Sequence, residues 1–385
     1  MDHKEYLTNK SFCPLPWNGF LIEADGNVKN CICNIRSIGN IKDAPIEEIM
    51  VADLNLELRQ QMLNDTKPSA CGYCYDLEKD KTDRNIVSSR IYYLKELKKT
   101  PLSMYDSNNF NLTQVDLRWQ NSCNFACVYC SPMYSSSWEK ELGTPIDRPS
   151  KEILQKTKDY IFAHVESLEN IYLAGGEPLL MKENEEFLKL LLEKNPNVNI
   201  RVNTNLSKTK TNVFNMLKQF KNVHWTISVE STGQEFEYMR FGGVWADFLA
   251  NLDEISKLDH KLTFNMTWGL LNYRSIFDCI EFLQHKGFHN NSFIITALVG
   301  PRWIDSRNLP KSVLQSIKDL AQAKIDQKPG FLLEDGYVNI IKHIDKPFDK
   351  DLVDSFKVLK ELDLRRNIDS SKIFTELYNL IERGK

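Results

Sequence analysis

The sequence predicts an α/β fold with a parallel sheet at its core, a small cysteine-bearing segment before the core and a helical region after it. Three observations lead to this prediction: six strand-like runs, amphipathic stretches between them, and eight of the nine cysteines within the first 130 residues. Strands that alternate with helices favour parallel pairing with right-handed crossovers. Because six strands are visible rather than eight, the core is either an incomplete barrel or an open sheet.

The N-terminal hundred residues consist of short, punctuated elements. Asp25-Gly26 lies between the apolar residues 20–22 and Val28, a pattern typical of a β-hairpin. A helix is predicted over about 45–64. A segment of this size has a thin hydrophobic core, so a bound metal centre would contribute much of its stability.

The predicted core strands follow in chain order and are separated by amphipathic helices. The strands are predicted over 114–119, 170–174, 199–203, 224–229, 262–268 and 293–298. The helices between them are predicted over 150–165, 184–194, 211–220, 245–258 and 275–286. In parallel α/β folds, ligands bind at the carboxyl ends of the strands. A group of three cysteines follows the first strand, and Gly175-Gly176 follows the second.

The remainder of the chain, after Gly300-Pro301, is predicted to be helical. Its helices are predicted over 312–326, 338–344, 351–362 and 373–381. We therefore expect three parts: a cysteine-bearing module over 1–105, an α/β core over 110–300, and a helical region over 301–385 that packs on the core.

The charge balance and the apolar pattern narrow the class of protein. The chain has 49 basic and 52 acidic side chains and a net charge of -3, which gives no field that would attract nucleic acid or an anionic membrane. No apolar run reaches the length of a spanning helix, and the first ten residues are polar, unlike a secretory signal. We expect a cytoplasmic protein with neither a nucleic-acid nor a membrane partner. In that reducing compartment, cysteines favour metal or redox chemistry over disulfides.

The compact cysteine group has the pattern C-x3-C-x2-C, at Cys123, Cys127 and Cys130. A structural zinc site would need a fourth ligand, and the nearest downstream histidine is the distant His164. A [4Fe–4S] cube normally takes four cysteines, so three leave one iron open for chemistry. Zinc or disulfide use is the alternative.

This motif, with Tyr129 before its last cysteine, resembles the signature of radical S-adenosylmethionine (SAM) enzymes. The segment Gly175-Gly176-Glu177-Pro178 resembles that family's GGEP motif. The resemblance implies a partial (β/α)6 TIM-like barrel and a [4Fe–4S] cluster on the three cysteines, with SAM on the open iron and against Tyr129 and residues 175–178. One electron through the cluster then cleaves SAM to a 5′-deoxyadenosyl radical, which removes a hydrogen atom from a substrate. A reductase such as flavodoxin or ferredoxin is the implied electron donor.

The same resemblance implies four further SAM contacts on or after the third and fourth strands, at Asn205, Ser228, Glu230 and Arg240. Leu206 stands where the family has glycine, and Glu230 stands where aspartate is common. Strand alternation places Ser228 and Glu230 on one face. Arg240 is similar to an arginine that pairs with the SAM carboxylate, and a surface ion pair is the alternative.

The dispersed cysteines resemble the SPASM and twitch domains, which carry an auxiliary cluster. The pattern is Cys13-x12-Gly26-x4-Cys31 followed by Cys71-x2-Cys74. Because no further cysteine follows soon after Cys74, the twitch form is favoured, with one [4Fe–4S] cluster held by these four cysteines. In relatives the module usually follows the radical core, whereas here it precedes the core.

Cys33 is surplus to this pattern. If residues 31–33 are extended, the thiols of Cys31 and Cys33 face the same side, so Cys33 is an alternative ligand to Cys31. A structural zinc site of four cysteines is the other interpretation of this group. Cys279 stands apart, among apolar residues of a predicted helix, and is expected to be a buried, inert thiol.

The leading hypothesis is a radical SAM enzyme that removes hydrogen from an unactivated C–H bond of a peptide or a small molecule such as a sugar or carbinol. The auxiliary cluster would assist electron transfer, with structural support as its minimal role. The alternative is a non-catalytic iron–sulfur or zinc protein that acts as an electron carrier or scaffold. Residues 175–178 favour the enzyme, since a simple carrier needs no SAM site.

Overall fold

The computed structural model describes residues 9–79, 88–96, 105–349 and 351–382. The chain divides by compactness into two units, and the division passes through the loop of the three compact cysteines. The first unit comprises residues 1–123, 132–203 and 210–224, and the second comprises 124–131, 204–209 and 225–385. The division of the chain at about 105 and 300 stays a prediction; its first boundary adjoins residues 97–104, which lie outside the described part.

The first unit is built on a mixed sheet. Its strands are β1 (Gly19–Ile22), β2 (Asn27–Lys29), β3 (Gly39–Asn40), β4 (Gln114–Leu117), β5 (Asn170–Leu173) and β6 (Asn199–Thr204). They lie in the order β3-β2-β1-β4-β5-β6. The predicted hairpin is present as the antiparallel pair β1 and β2. Strand β1 also pairs in parallel with β4, so the N-terminal hairpin continues the core sheet, which the sequence does not predict.

The helices of the first unit are α1 (Leu15–Asn18), α2 (Ile46–Ile49), α3 (Asp53–Leu63), α4 (Gly72–Lys79), α5 (Ser89–Glu96), α6 (Ser136–Leu142), α7 (Lys151–Ala163), α8 (Lys182–Lys194) and α9 (Asn212–Leu217). The single helix predicted over 45–64 is therefore two. Ala52 is extended at the break, and the Asn55 side chain donates to the carbonyl oxygen of Met50 at 2.8 Å. Helices α6 and α7 each begin after a serine whose hydroxyl accepts a backbone N–H, a common N-cap.

The second unit contains strands β7 (Val223–Ser228), β8 (Lys261–Trp268) and β9 (Phe293–Ala297), in the order β7-β8-β9. Strands β8 and β9 are parallel, with Phe264 opposite Phe293. Helices α10 (Gly233–Met239), α11 (Trp245–Ile255) and α12 (Ser275–His285) connect them. All six predicted core strands are present, which confirms the α/β class. Cys279 is fully buried in α12, as expected.

The C-terminal region is helical, as predicted. Its helices are α13 (Lys311–Asp326), α14 (Phe331–Ile344), α15 (Leu352–Arg366), α16 (Ser370–Ile373) and α17 (Thr375–Glu382). Helix α14 begins seven residues before its predicted start, and Gly336 lies inside the helix rather than before it. A Cβ on Gly336 would lie 2.8 Å from the side chain of Ile295 on β9, so glycine permits this close helix–strand packing. None of the helices in the described ranges is long and apolar enough to cross a bilayer.

A buried carboxylate joins helix α14 to the turns after β9. Asp305 is fully buried and lies 3.0 Å from the Nε2 atom of His343, and it accepts from Arg307 at 3.0 and 2.7 Å. Burial opposes ionisation of Asp305, but hydrogen bonds from His343 and Arg307 hold its pKa below the ordinary value. The ionised carboxylate therefore stabilises the attachment of α14.

Candidate functional site

The compact cysteine loop lies partly in the second unit, where the backbone of residues 239–241 holds it. The N–H of Ala126 donates to the carbonyl oxygen of Phe241, and the N–H of Val128 donates to that of Met239, each at 2.8 Å. Burial raises the pKa of the Cys127 thiol, and burial raises that of Cys130 to about 12. Thiols in such a setting ionise when a metal centre binds them.

A buried acid at the end of β7 connects this loop to the rest of the second unit. Glu230 is 1% exposed; its carboxylate accepts from the Tyr129 hydroxyl at 2.8 Å and from the Arg240 Nε at 2.6 Å. Thr267 donates to the same carboxylate at 3.2 Å. Arg240 is 4% exposed, so the alternative of a surface ion pair is wrong: the pair is buried.

Arg240 also contacts the cysteine loop directly. Its Nη1 donates to the Sγ of Cys127 at 3.9 Å, and its guanidinium carbon lies 5.8 Å from the centre of the Tyr129 ring. Hydrogen bonds to a cluster's sulfur atoms are among the factors that set its reduction potential. Arg240 is therefore placed to influence a cluster bound by Cys127, while its contact with a SAM carboxylate stays a prediction.

Asn205 lies against the same loop. Asn205 donates to the Oδ1 of Asn124 at 3.3 Å, and Ser207 donates to the same oxygen at 3.1 Å. Leu206, between them, is left-handed with a φ of 54°, which explains why glycine suits this position in the family that the motif resembles. Ser228, at the end of β7, is buried. SAM contacts by Asn205 and Ser228 stay predictions.

The glycine turn lies in the first unit, directly after β5. A Cβ on Gly176 would lie 2.6 Å from the carbonyl carbon of Asn121 and closer still to the carbonyl oxygen of Ser122. The N–H of Glu177 donates to Ser122 at 2.7 Å, and its side chain accepts from the N–H of Leu179 at 3.2 Å. The turn, which continues through Pro178, therefore packs against the residues that immediately precede Cys123.

Alanine at position 176 is expected to displace this part of the cysteine loop. The backbone of Asn121 and Ser122 must move to admit the methyl group, and a displacement of about 1 Å at a reaction centre costs about a hundredfold in rate. Gly176→Ala should therefore lower the rate of SAM cleavage by about a hundredfold, measured as 5′-deoxyadenosine formed per cluster. Gly300→Ala is the matched control, because a Cβ there meets nothing within 4 Å. Equal rates in both variants would contradict the expectation.

The dispersed cysteines come together in the first unit. They line one cavity with three polar residues and Leu15, and the lining thiols are those of Cys13, Cys31, Cys33, Cys71 and Cys74. The polar residues are Tyr75, Ser89 and Arg90. All five cysteines are thus grouped, including the one that the motif does not use.

Two side chains of this cavity hold the segment that carries Cys13. Arg90 donates to the carbonyl oxygen of Phe12 at 2.9 Å and pairs with the partly buried carboxylate of Glu78. The Tyr75 hydroxyl donates to the carbonyl oxygen of Ser11 at 2.6 Å. These contacts attach the N-terminal segment to helices α4 and α5.

Cys31 and Cys33 line the cavity and belong to one turn. The extended conformation considered for residues 31–33 is therefore wrong. The N–H of Asn34 donates to the carbonyl oxygen of Cys31 at 3.2 Å, which closes the turn. Hydrogen bonding to the neighbouring Cys31 and Cys74, together with Ser89, lowers the pKa of the Cys33 thiol. Cys33 therefore lines the same cavity as the proposed ligands.

The donor set of this cavity suits a cluster. Across the part of the chain that the structure describes, no three His, Cys, Asp or Glu side chains are arranged to hold a single metal ion. A [4Fe–4S] cube distributes its thiolates over separate irons, so its ligands surround a volume rather than a point. Thiols around one cavity match that requirement.

Two protein-family models match the chain. Residues 117–283 match the radical SAM superfamily, and residues 13–75 match an iron–sulfur cluster-binding domain of the SPASM type. The chain therefore contains a radical SAM domain and, before it, a SPASM-type cluster-binding domain. It is therefore an enzyme whose cofactors are SAM, the [4Fe–4S] cluster that coordinates SAM, and an auxiliary iron–sulfur cluster. The partial-barrel class of the radical SAM core and the position of the SPASM module before it are confirmed, and the non-catalytic alternative is set aside.

Relatives of this radical SAM protein include GTP 3′,8-cyclases. That of Nautilia profundicola is 27% identical over 274 residues, which are 68% of this chain and 80% of the relative. That of Sulfurimonas denitrificans is 25% identical over 43% of this chain and 50% of the relative. Among solved structures, anSMEcpe with bound AdoMet has a TM-score of 0.41 at 14% identity, over 57% of this chain and 62% of that chain. Streptococcus suis SuiB bound to its precursor peptide SuiA has a TM-score of 0.39 at 15% identity, over 56% and 46%.

The sequence motifs do not predict two contacts that the structure shows around the cysteine loop and Glu230. Thr267 is a polar residue near the end of β8, and strand alternation is the sequence signal that could have indicated it as a neighbour of Glu230. Arg366, at the end of α15, donates from Nη2 to the carbonyl oxygen of Ala126 at 2.9 Å, across 240 residues of sequence. Its guanidinium carbon also lies 4.3 Å from the centre of the Phe241 ring. No local signal indicates that contact.

Arg366 is a positioning residue for the cysteine loop, because it contacts both the loop and the segment that holds it. Arg366→Ala is expected to lower 5′-deoxyadenosine formation by about tenfold and to speed the loss of iron to a chelator. The electron paramagnetic resonance (EPR) signal of the reduced, SAM-bound cluster should also change. Lys360→Ala, an exposed change on the same helix, is the control. An unchanged signal and unchanged iron loss in Arg366→Ala would argue against the positioning role.

Proposed function

We propose that this enzyme reductively cleaves SAM and removes a hydrogen atom from an unactivated C–H bond of its substrate. The observation that carries the proposal is the buried contact of Glu230 and Arg240 with Tyr129 and Cys127. A buried charge pair at the loop of a three-cysteine cluster supports a preorganised redox site. In the first unit, the glycine turn packs against Asn121 and Ser122, the residues that immediately precede Cys123.

The proposed ligands of the SAM-coordinating cluster are Cys123, Cys127 and Cys130, whose donor set fits three irons of a cube and leaves the fourth for SAM. When bound, the cluster supplies the electron that cleaves SAM to a 5′-deoxyadenosyl radical. The chain's own task is to hold the loop and orient SAM. Arg240 donates to Cys127, and Glu230 neutralises Arg240 and fixes the Tyr129 hydroxyl.

Five further residues are proposed to contact SAM through the glycine turn and the strand ends. The turn contributes backbone groups of Gly175, Gly176, Glu177 and Pro178, and Asn205 follows directly after β6. Glycines suit the turn because the backbone must approach a ligand closely. Ser228 is proposed as a sixth contact, since it lies buried at the end of β7.

The auxiliary [4Fe–4S] cluster is proposed to bind in the five-thiol cavity, with Cys13, Cys71 and Cys74 among its ligands. With four thiolates it has no open iron for substrate. Electron transfer from a substrate radical is therefore its proposed role. Arg90, which lines the cavity, is held by the partly buried Glu78, and this supports a fixed geometry for such transfer.

The substrate is proposed to be a peptide or a small molecule, and the electron donor a flavodoxin or ferredoxin of the cytoplasm. The similarity to GTP 3′,8-cyclases makes a nucleotide the first small molecule to test. The near balance of charge, with a net charge of -3, supports the absence of a nucleic-acid partner.

Anaerobic reconstitution tests the activity. The protein with intact clusters is incubated with SAM and dithionite, and 5′-deoxyadenosine is measured by mass spectrometry. Formation of 5′-deoxyadenosine is expected; none with an intact SAM-coordinating cluster would overturn the proposal. Deuterated GTP and deuterated peptides then distinguish the substrate classes, since the substrate transfers deuterium to 5′-deoxyadenosine.

A further inference from the structure

We propose that Cys31 and Cys33 are interchangeable ligands of one iron of the auxiliary cluster. The inference rests on the proposed binding of that cluster in the five-thiol cavity, and it adds a ligand that the motif of this module does not contain. Five thiols line the cavity, whereas a [4Fe–4S] cube takes four. One thiol is therefore in excess, and the geometry indicates which two compete.

The two competing thiols belong to one turn. Cys31 and Cys33 occupy its first and third positions, and the N–H of Asn34 closes it on the carbonyl oxygen of Cys31. The thiols of Cys31, Cys33 and Cys74 line the same cavity, and the Cys33 sulfur lies 3.4 Å from the Ser89 hydroxyl. Cys13 comes from another segment, and Cys71 and Cys74 lie directly before and within the first turn of α4, where the C-x2-C pattern assigns each a ligand position of its own. The fourth ligand position is therefore open to either thiol of the turn.

The turn is held on both sides, so both thiols stay at the cavity. On one side, Asn34 lies 3.4 Å from Asn30, which in turn bonds to the buried Asn55 of α3 at 3.0 Å. On the other side, the N–H of Ile35 donates to the carbonyl oxygen of Ala70 at 3.2 Å, next to Cys71. A turn anchored at both ends exchanges one thiol for the other by side-chain rotation alone.

The exchange is balanced in protons and electrons. The incoming thiol gives up its proton as its sulfur binds iron, and the departing thiolate takes up a proton as its iron–sulfur bond breaks. No electron is transferred. The thiol that is not bound remains next to the cluster, where Ser89 lies 3.4 Å from the Cys33 sulfur. A hydrogen bond from the unbound thiol to the cluster is a factor in its reduction potential.

The test uses the full chain with alanine at 123, 127 and 130, so that iron reports the auxiliary cluster alone. Into this background are placed Cys31→Ala, Cys33→Ala, the pair together, and Cys13→Ala as the matched control. Iron, sulfide and the EPR signal of the reduced cluster are measured after anaerobic reconstitution. Circular dichroism identifies any variant that fails to fold, for which serine replaces alanine.

Each single variant of the turn is expected to retain about four irons per chain, and the paired variant and Cys13→Ala are expected to lose them. The EPR signals of the two single variants should differ, because a different thiolate is bound in each. Loss of the cluster in Cys31→Ala alone, in Cys33→Ala alone, or in both would overturn interchange. Four irons retained in Cys13→Ala would instead overturn the placement of the cluster in this cavity, while SAM cleavage by the unmodified enzyme would stay unaffected by either result.

Discussion

Replacement of Cys123, Cys127 and Cys130 by alanine is expected to reduce 5′-deoxyadenosine formation to the level measured without enzyme. The three thiols are the only cysteines of the compact group, so their removal leaves the SAM-coordinating cluster without protein ligands. Iron should fall from about eight to about four per chain, since the auxiliary cavity is unchanged. Mass spectrometry of the SAM products and iron analysis of the same preparation measure both effects.

The matched control for this experiment is Cys279→Ala. Cys279 is buried in α12 and belongs to neither cysteine group, so this variant should retain both clusters and form 5′-deoxyadenosine. If the triple variant still cleaved SAM above background, the three cysteines would not be the ligands. If its iron fell to near zero, the auxiliary cluster would depend on the SAM-coordinating one or be absent.

Replacement of Glu230 by alanine is expected to lower the free energy of unfolding by about 3–5 kcal/mol. Glu230 and Arg240 form an ion pair in which both side chains are nearly inaccessible to solvent. Removal of the carboxylate leaves the guanidinium buried without its partner, and Tyr129 and Thr267 lose their acceptor. Urea unfolding followed by circular dichroism under anaerobic conditions measures the loss.

Two variants show whether the cost comes from an unpaired buried charge. Asp253→Ala breaks an exposed ion pair with Lys286, whose atoms lie 3.3 Å apart, and should cost less than about 1 kcal/mol. The double variant Glu230→Ala with Arg240→Met removes both buried charges and should recover much of the stability lost in Glu230→Ala. If Glu230→Ala proved no more destabilising than Asp253→Ala, the buried pair would not be a major source of stability.

The Glu230–Arg240 pair also shows why the sequence alone left two interpretations of Arg240 open, a contact with the SAM carboxylate and a surface ion pair. The two residues are ten apart in sequence, separated by helix α10, and the helix brings the arginine back over the end of β7. Local periodicity predicts the helix but not the direction in which the chain leaves it. The pairing of Arg240 with a buried carboxylate therefore required the tertiary structure.

The amino-acid sequence by itself determined the α/β class, the six core strands and the grouping of the cysteines. These features follow from local periodicity and from short spacings such as C-x3-C-x2-C, which act over a few residues. The GGEP segment is another feature that the sequence determined. The backbone of Gly176 lies so close to that of Asn121 and Ser122 that only glycine fits there.

The tertiary structure decided the rest. It added β1 to the core sheet beside β4, brought Cys33 into one cavity with Cys71 and Cys74, and placed Arg366 on the carbonyl oxygen of Ala126. Each of these contacts joins segments whose separation in sequence exceeds the range of helical or strand periodicity. Their formation depends on the path of the whole chain, because distant groups meet only where packing of the intervening elements brings them together.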